Sequence, residues 1–255
     1  RDTVTNIETL DFFDVDLATA GLGLGSQITG TAPAGETLTG TVLDDQITGL
    51  EGPDSIVALD GNDILQGGDG ADTILGGGGA DNIDGGAGAN TIDAGTGNDT
   101  VVAGVGDDSI DGGADNDFML GGEGSDTLLG GDGNDTIGNF QVDGDDSIEG
   151  GAGLDSIRDY YGENTVFGGT ENDYIDASGP SIDGGDGDDF MYARPNFSLG
   201  GGAQSDQSVS GGAGNDRIQL VSYSNSYTNA VTLDGGDGND TLVGSGRTNG
   251  ATEEL

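Results

Sequence analysis

The sequence predicts an all-β fold, a parallel β-roll or β-helix solenoid, and three observations support this prediction. A nine-residue motif, GGxGxDxUx with U a large aliphatic residue, recurs in near-perfect form at 67–75, 76–84, 121–129 and 130–138. The aliphatic position returns at the same spacing along most of the chain. Glycine supplies 55 of the 255 residues, which is typical of repeated tight turns. A fixed period of this kind indicates stacked repeats rather than one globular core.

The first element, residues 1–29, lacks the motif. Its apolar residues concentrate between Val4 and Phe13 and exceed those of any repeat stretch of similar length. We interpret this segment as an N-terminal cap over the first coil, because solenoids need capped ends. The alternative interpretation is the tail of a preceding domain.

The repeat array follows over residues 30–246 and is regular to about residue 138. A two-residue insertion near Asn139–Phe140 shifts the phase, further insertions follow Met191, and a polar tail occupies 247–255. The aliphatic positions predicted to face inward are Leu38, Ile47, Ile56, Leu65, Ile74, Ile83, Ile92, Val101, Ile110, Met119, Leu128, Ile137, Ile148, Ile157, Val166, Ile175, Ile182 and Met191.

Each repeat is predicted to combine a three-residue strand with a six-residue turn. In the strand, side chains alternate out, in and out, as for Thr73-Ile74-Leu75. Two repeats then make one coil, and successive coils stack about 4.8 Å apart as parallel strands. The array predicts a rod of roughly a dozen coils at this spacing.

The charge of the chain excludes several kinds of partner. The sequence has 48 acidic and 5 basic residues and a formal net charge of −43. Such a chain repels nucleic acids and anionic lipids, whose binding depends on Lys and Arg. We therefore expect no nucleic-acid partner. No apolar run approaches the roughly 20 residues that span a bilayer, so we also expect no direct membrane insertion.

The residue types that are missing limit the possible chemistry. Cys, His and Trp are absent, which excludes zinc sites built on Cys or His and catalytic triads with a histidine base. Aspartates are so frequent that no pair of them marks a glycosidase site. We expect no enzyme activity within these residues.

The aspartate at the sixth motif position lies two residues before the aliphatic residue, among glycines. Calcium takes about six to eight oxygen ligands, chiefly carboxylates and carbonyls, and glycine lets backbone carbonyls turn toward an ion. The motif resembles the calcium-binding nonapeptide of the RTX (repeats-in-toxin) family of secreted proteins. This resemblance implies a β-roll with multiple Ca2+ ions bound in the turns between stacked coils.

The resemblance further implies that the sixth-position aspartates are the metal ligands. They are Asp45, Asp54, Asp63, Asp72, Asp81, Asp99, Asp108, Asp117, Asp126, Asp135, Asp146, Asp155, Asp173, Asp189, Asp206, Asp216 and Asp240. Asp45 and Asp206 belong to poorer copies of the motif. Metal binding to the folded chain adds to its stability, so we expect the calcium-free chain to be unfolded or molten.

Departures from the motif are expected to weaken ion binding, with the strongest disturbance between 177 and 210. Asn90 and Asn164 replace the aspartate. Asp115 and Glu171 replace the fourth-position glycine. Ala58-Leu59 and Asp159-Tyr160 replace the paired glycines.

Two functions from different classes fit these features. The first is a secreted structural protein, in which calcium folds the rod and joins subunits in a surface layer, an extracellular matrix fibre or an adhesin stalk. The alternative is the calcium-triggered folding and secretion module of a larger type I-secreted toxin, protease or lipase. The length of the array favours the first function, since modules attached to secreted enzymes are commonly short. Both imply an extracellular or cell-surface location, because extracellular calcium modules bind at about 10⁻⁴–10⁻³ M.

The aromatic residues predict a surface for self-association. Three aromatic side chains are predicted to face outward on one sheet beside an arginine, a combination typical of an interface core. The alternative is that the inserted loops at 193–210 and 220–232 fold over this surface. The residues are Arg158, Tyr174, Phe190 and Tyr192.

Overall fold

The structure is a computed structural model, and it describes residues 25–31, 35–139, 144–194, 205–221, 230–244 and 252–254. The predicted cap or domain tail lies almost wholly outside the described residues, as do large parts of the two inserted loops. Within the described ranges every regular element is a β-strand, and no helix is long and apolar enough to cross a membrane. The predicted all-β parallel solenoid is confirmed.

Each described repeat contributes one strand. The strands are β1 (Gln27–Thr29), β2 (Thr37–Thr39), β3 (Gln46–Glu51), β4 (Ser55–Asp60), β5 (Ile64–Asp69), β6 (Thr73–Gly78), β7 (Asn82–Ala87), β8 (Thr91–Thr96), β9 (Thr100–Val105), β10 (Ser109–Ala114), β11 (Phe118–Glu123), β12 (Thr127–Asp132), β13 (Thr136–Asn139), β14 (Ser147–Ala152), β15 (Ser156–Asp159), β16 (Thr165–Thr170), β17 (Tyr174–Ser178), β18 (Ser181–Asp186), β19 (Phe190–Arg194), β20 (Gln207–Ala213), β21 (Arg217–Leu220), β22 (Val231–Asp234), β23 (Thr241–Val243) and β24 (Thr252–Glu254).

In the described part of the chain the strands alternate between two parallel sheets of 12 strands each. Odd-numbered strands form the first sheet and even-numbered strands form the second, so every strand pairs with the strands two places away. In the regular part the paired residues are two motifs apart, as for Ile74 and Ile92. Pairing begins at β1, before residue 30, and continues to β24, beyond residue 246.

The strands are longer than the sequence predicts. Most contain six residues, which include the paired glycines of the next motif, as in β6. The ladder pairs Thr73 to Leu75 with the next coil, skips Gly76, and resumes at Gly77. The prediction of a three-residue strand is wrong because the backbone after Gly76 keeps its ladder partners. Only a short turn around Gly79 then joins one strand to the next.

One file of aliphatic side chains from each sheet fills the space between the two sheets. The predicted inward residues from Ile47 to Met191 are all buried, with at most 2% of their surface exposed. Val209, Ile218 and Leu233 continue the files where the repeat register loosens. Each coil contributes only one such side chain from each of its two strands. It therefore buries little apolar surface and depends on the coils above and below it.

Two glycines of each regular turn adopt backbone conformations that L-residues rarely reach. Gly77 has φ 111° and Gly79 has φ 122°. A Cβ on Gly77 would overlap the carbonyl oxygen of Leu59 in the preceding coil, and one on Gly79 would overlap that of Gly61. Glycine is required here both for the positive φ and for the close approach of the coils.

Among the residues that the structure describes, four keep the same left-handed turn without being glycine. They are Leu50, Leu59, Asp115 and Glu171, with φ between 72° and 89°. This conformation costs a residue with a Cβ roughly 1–2 kcal/mol. The departures from the motif at Leu59, Asp115 and Glu171 therefore preserve the shape of the turn at a cost in stability.

The two adjacent glycines at the end of β6 provide a matched test of this constraint. Gly77→Ala should lower the free energy of unfolding of the calcium-loaded protein by at least about 2 kcal/mol, because the new Cβ has both positive φ and a backbone clash. Gly78→Ala should change it by less than about 0.5 kcal/mol, since its nearest neighbours are side-chain oxygens 3.3 and 3.4 Å away. Urea denaturation followed by circular dichroism measures both. Equal losses for the two variants would contradict the clash.

Candidate metal centre

The sixth-position residues lie in the turns at the two edges of the solenoid, and consecutive repeats alternate between these edges. One edge holds a long aspartate row, in the turns before the first-sheet strands. Its members are Asp45, Asp63, Asp81, Asp99, Asp117, Asp135, Asp155, Asp173, Asp189, Asp216 and Asp240. The other edge holds a short aspartate row, before the second-sheet strands. Its members are Asp54, Asp72, Asp108, Asp126 and Asp146, with Asn90 and Asn164 in the same positions.

A hydrogen-bond ladder runs without interruption along the long aspartate row. Each backbone N–H donates to the Oδ1 atom of the aspartate one coil later, from Asp45 through Asp216, at 2.6–3.0 Å. The carboxylates are therefore oriented by the backbone of the neighbouring coil. Because every coil is oriented in the same way, the second carboxylate oxygens also repeat along this edge.

The short aspartate row has the same ladder but stops part-way along the rod. It runs from Asp54 to Asn164 with N–H to Oδ1 distances of 2.7–3.0 Å. The next two positions are Pro180, which has no N–H, and Gln207. The carboxylate positions at this edge therefore end at Asp146.

The second oxygen of most row carboxylates is buried without a hydrogen-bond donor. These Oδ2 atoms belong to Asp54, Asp63, Asp72, Asp81, Asp99, Asp108, Asp117, Asp135, Asp155, Asp173, Asp189 and Asp216. An unpaired buried carboxylate oxygen is costly, because desolvation is not compensated. A repeated set of such atoms therefore needs cations or protons.

The surroundings of these oxygen atoms fit a hard cation. A Cβ placed on Gly112 would lie 2.7 Å from Asp117 Oδ2 and 2.7 Å from the carbonyl oxygen of Gly130. Gly76 has the same kind of surroundings, since a Cβ placed on it would lie 2.6 Å from Asp81 Oδ2. Within the described ranges no three acidic side chains converge as a metal-binding group. The oxygen atoms around Gly112 are a carboxylate and a backbone carbonyl, and calcium accepts such a mixed set of oxygen ligands.

Burial raises the pKa of the row carboxyls in the metal-free chain. Desolvation is the largest cause, neighbouring carboxylates add to it, and the backbone N–H donors oppose it. The pKa of Asp81 rises to about 6, and the pKa of Asp117 and of Asp173 rises to about 7. Ionising these carboxyls in the folded, metal-free chain therefore costs free energy, and a bound cation would relieve this cost.

Side-chain amides form hydrogen bonds between coils where the short aspartate row ends. The Nδ2 atom of Asn139 donates to Oδ2 of Asp126 at 3.2 Å and to Oδ2 of Asp146 at 3.0 Å. Further along, Nε2 of Gln207 donates to the carbonyl oxygens of Gly179 and Arg194 at 3.0 and 2.9 Å. Amide donors thus join the coils at this edge. In the sequence Asn139 marks only an insertion, and nothing there predicts a role for Gln207.

Asp159 is an acidic residue that was predicted from the sequence only as a replacement for one of the paired glycines. It is fully buried, and its Oδ2 atom has no donor. Burial raises its pKa well above the ordinary range, and the charge of Asp146 raises it further. This edge therefore contains an additional internal carboxyl group next to the row.

Asp206 is the one predicted ligand that lies outside the buried positions of the rows. It is exposed, and its Oδ1 atom accepts from the N–H of Ala230 at 2.9 Å. The inward residue of β20 is Val209, so the row position belongs to Gln207, which is 4% exposed. The predicted phase is wrong by one residue here, because the inserted loop interrupts the period. Asp240, at the far end of the long row, is half-buried.

A second feature is an arginine–aromatic face on β15 to β21 of the first sheet. The rings of Tyr174 and Phe190 stack with centroids 5.9 Å apart, and Tyr192 meets Phe190 edge-on at 5.0 Å. The guanidinium of Arg158 lies 5.2 Å from the ring centroid of Tyr174, and that of Arg217 lies 5.6 Å from Phe190. The structure thus brings together the four residues that the sequence grouped.

Neutralising one row carboxylate should weaken calcium-dependent folding. Asp117→Asn keeps the Oδ1 acceptor and removes the charge, so the calcium concentration at the folding midpoint should rise about two- to tenfold. Asp93→Asn removes the same charge from an exposed, outward-facing position and should leave the midpoint within about 1.5-fold. Calcium titrations followed by circular dichroism measure both. Equal shifts would mean that net charge, rather than the row, controls folding.

The calcium-free chain should gain structure on acidification. A folded-state pKa of about 6 for Asp81 and about 7 for Asp117, above the ordinary value of 3.8, means that the folded chain binds protons more tightly. This contribution is complete below about pH 4 and is lost as the pH rises through about 6 to 7. Circular dichroism in chelator should therefore show more β-structure at pH 4.5 than at pH 7.5. Calcium affinity should fall as the pH is lowered over the same interval, because protons compete with calcium for the carboxylates. A calcium-free chain with more β-structure at pH 7.5 than at pH 4.5 would contradict the prediction.

Comparison with known families agrees with this geometry. The family model described as the RTX calcium-binding nonapeptide repeat matches residues 39–74, 57–92, 66–101, 75–110, 102–137, 141–176, 181–194, 201–219 and 230–246. A search of curated proteins gave no match. The matched segments cover more than half of the chain and contain most of both aspartate rows. The chain therefore belongs to the RTX calcium-binding nonapeptide repeat family.

Proposed function

We propose that this chain is a secreted structural protein that folds when it binds calcium outside the cell and then assembles into a surface layer, a matrix fibre or an adhesin stalk. The single observation that supports this most strongly is the long aspartate row. Nine of its Oδ2 atoms, from Asp63 to Asp216, are buried without a donor. Calcium bound along this row would stabilise nearly every coil of the rod.

The proposed switch depends on calcium concentration. Sites of carboxylate and carbonyl oxygens in extracellular modules bind at about 10⁻⁴–10⁻³ M, far above cytosolic calcium. The buried row carboxylates would keep the chain unfolded during export. Calcium outside the cell would then fold it, and the binding energy would appear as folding energy.

The carrier role in a larger type I-secreted toxin, protease or lipase would use the same switch. The structural role is favoured by the extent of the solenoid, which continues from β1 to β24, and by the arginine–aromatic face. A carrier module needs no exposed interface of this kind. We accordingly propose self-association through the surface that contains Arg158, Tyr174, Phe190 and Tyr192, with no nucleic-acid partner, membrane insertion or catalytic activity.

Purified chain with and without chelator tests this function. With millimolar calcium we expect a β-rich circular dichroism spectrum, bound calcium on the order of ten ions per chain by elemental analysis, and ordered assemblies in negative-stain electron microscopy. Chelator should abolish all three. Folding without assembly at high protein concentration would refute the structural role and leave the carrier module, whereas absence of calcium-dependent folding would refute both.

A further inference from the structure

We propose that two calcium-loaded copies of this chain pair through their first sheets, with their long axes antiparallel and a two-fold axis at Phe118. This inference rests on the proposed function, since only the folded rod presents a first sheet. It identifies the partner of the arginine–aromatic face as the opposite half of the same sheet in a second copy. The interface would be isologous, so each contact away from the axis occurs twice.

The first observation is that two arginines have no acidic partner. Within the described residues the one ion pair joins Arg194 to Asp176. Arg158 and Arg217 are exposed and lie over aromatic rings instead. Asp176 lies next to Arg158 on the neighbouring strand, but its carboxylate is paired with Arg194. The charge of Arg158 therefore remains available for a carboxylate of another molecule.

The second observation is the exposed apolar surface elsewhere on the first sheet. Ile64 is 48% exposed, Val102 37% and Phe118 40%. These residues lie on β5, β9 and β11, so they continue the arginine–aromatic face toward the other end of the rod. An apolar strip with aromatic residues and few charges at its centre is typical of an interface core.

The strand order defines which residues would meet. β15 and β7 lie equally far from β11 in the first sheet, as do β17 and β5. An axis through Phe118 along the strand direction therefore places Arg158 opposite Asp84 of the second copy, because both residues directly follow an inward aliphatic residue. It likewise places Tyr174 opposite Ile64, since both directly precede one.

Charge favours this arrangement over a parallel one. If the two rods ran in the same direction, each strand would face its own copy, and Arg158 would lie opposite Ser156. The acid Asp84 would then face Asn82, and no arginine would gain a carboxylate. The antiparallel arrangement instead forms two Arg158–Asp84 pairs and joins apolar residues at the axis, and opposite charges across an interface determine its register.

The proposed contact is long and narrow. It extends from β1 to β21, which is about 48 Å at a strand spacing near 4.8 Å. An interface only one strand triplet wide lies at the small end of stable interfaces. The dimer should therefore dissociate on dilution.

Charge reversal tests the pairing by sedimentation velocity in calcium. Arg158→Glu and Asp84→Arg should each weaken dimerisation about tenfold or more, because each places like charges together twice. The combined variant, Arg158→Glu with Asp84→Arg, should restore it to within about threefold of the wild type. Glu149→Arg makes the same charge change as Asp84→Arg but on the second sheet, and it should leave dimerisation unchanged.

A residue at the axis provides an independent test with a matched control. Phe118→Asp should abolish dimerisation, since the two new carboxylates would face each other. Phe167→Asp alters an equally exposed phenylalanine, 38% against 40%, on the second sheet and should dimerise normally. Circular dichroism must show that every variant folds with the wild-type calcium midpoint.

The outcomes separate the two proposals. Failure to fold in calcium refutes the proposed function. A wild-type protein that folds in calcium but stays monomeric overturns the antiparallel pair, and it would mean that the inserted loops or another molecule cover the face. A dimer that survives Phe118→Asp, or that the charge swap does not restore, also overturns it.

Discussion

The structure depends on the different roles of the two oxygen atoms in most of the row carboxylates. Oδ1 accepts a backbone N–H from the preceding coil, while Oδ2 is buried without a donor. The first interaction orients the carboxylate and joins neighbouring coils. The second atom leaves a desolvated charge that the protein cannot satisfy with its own groups. The same side chain therefore stabilises the stack and makes its stability depend on a cation or a proton.

This dependence follows from the narrow core. One aliphatic side chain per repeat fills the space between the sheets, and the glycines that let the coils approach each other bury no side chain of their own. The hydrophobic effect is proportional to the apolar area removed from water, so each coil gains little from it. The aspartates add electrostatic repulsion to a chain with net charge −43. Bound calcium would replace this repulsion between aspartates by attraction between the aspartates and the ions. A regular fold and a highly acidic composition can therefore occur together.

The two edges of the rod are unequal. The long aspartate row continues to Asp240, whereas the short row ends at Asp146 and is followed by amide contacts from Gln207. An amide donor does not require an ion and does not respond to calcium. The arginine–aromatic face lies on the part of the rod where this change takes place. In the irregular half, one edge would therefore depend on calcium, whereas at the other edge hydrogen bonds from side-chain amides join the coils.

The sequence by itself determined the two-repeat coil, the parallel all-β solenoid, the files of buried aliphatic residues and nearly all row aspartates. It could do so because the period is short and the same turn chemistry repeats at every position. Only the tertiary structure decided which aspartates share an edge, that the strands continue past Gly76, and that Gln207 rather than Asp206 occupies the buried position. It also revealed that Asn139 bridges two row carboxylates. Those features arise from contacts between residues a full coil apart, and a local motif contains no information about its neighbour in space once an insertion has broken the period.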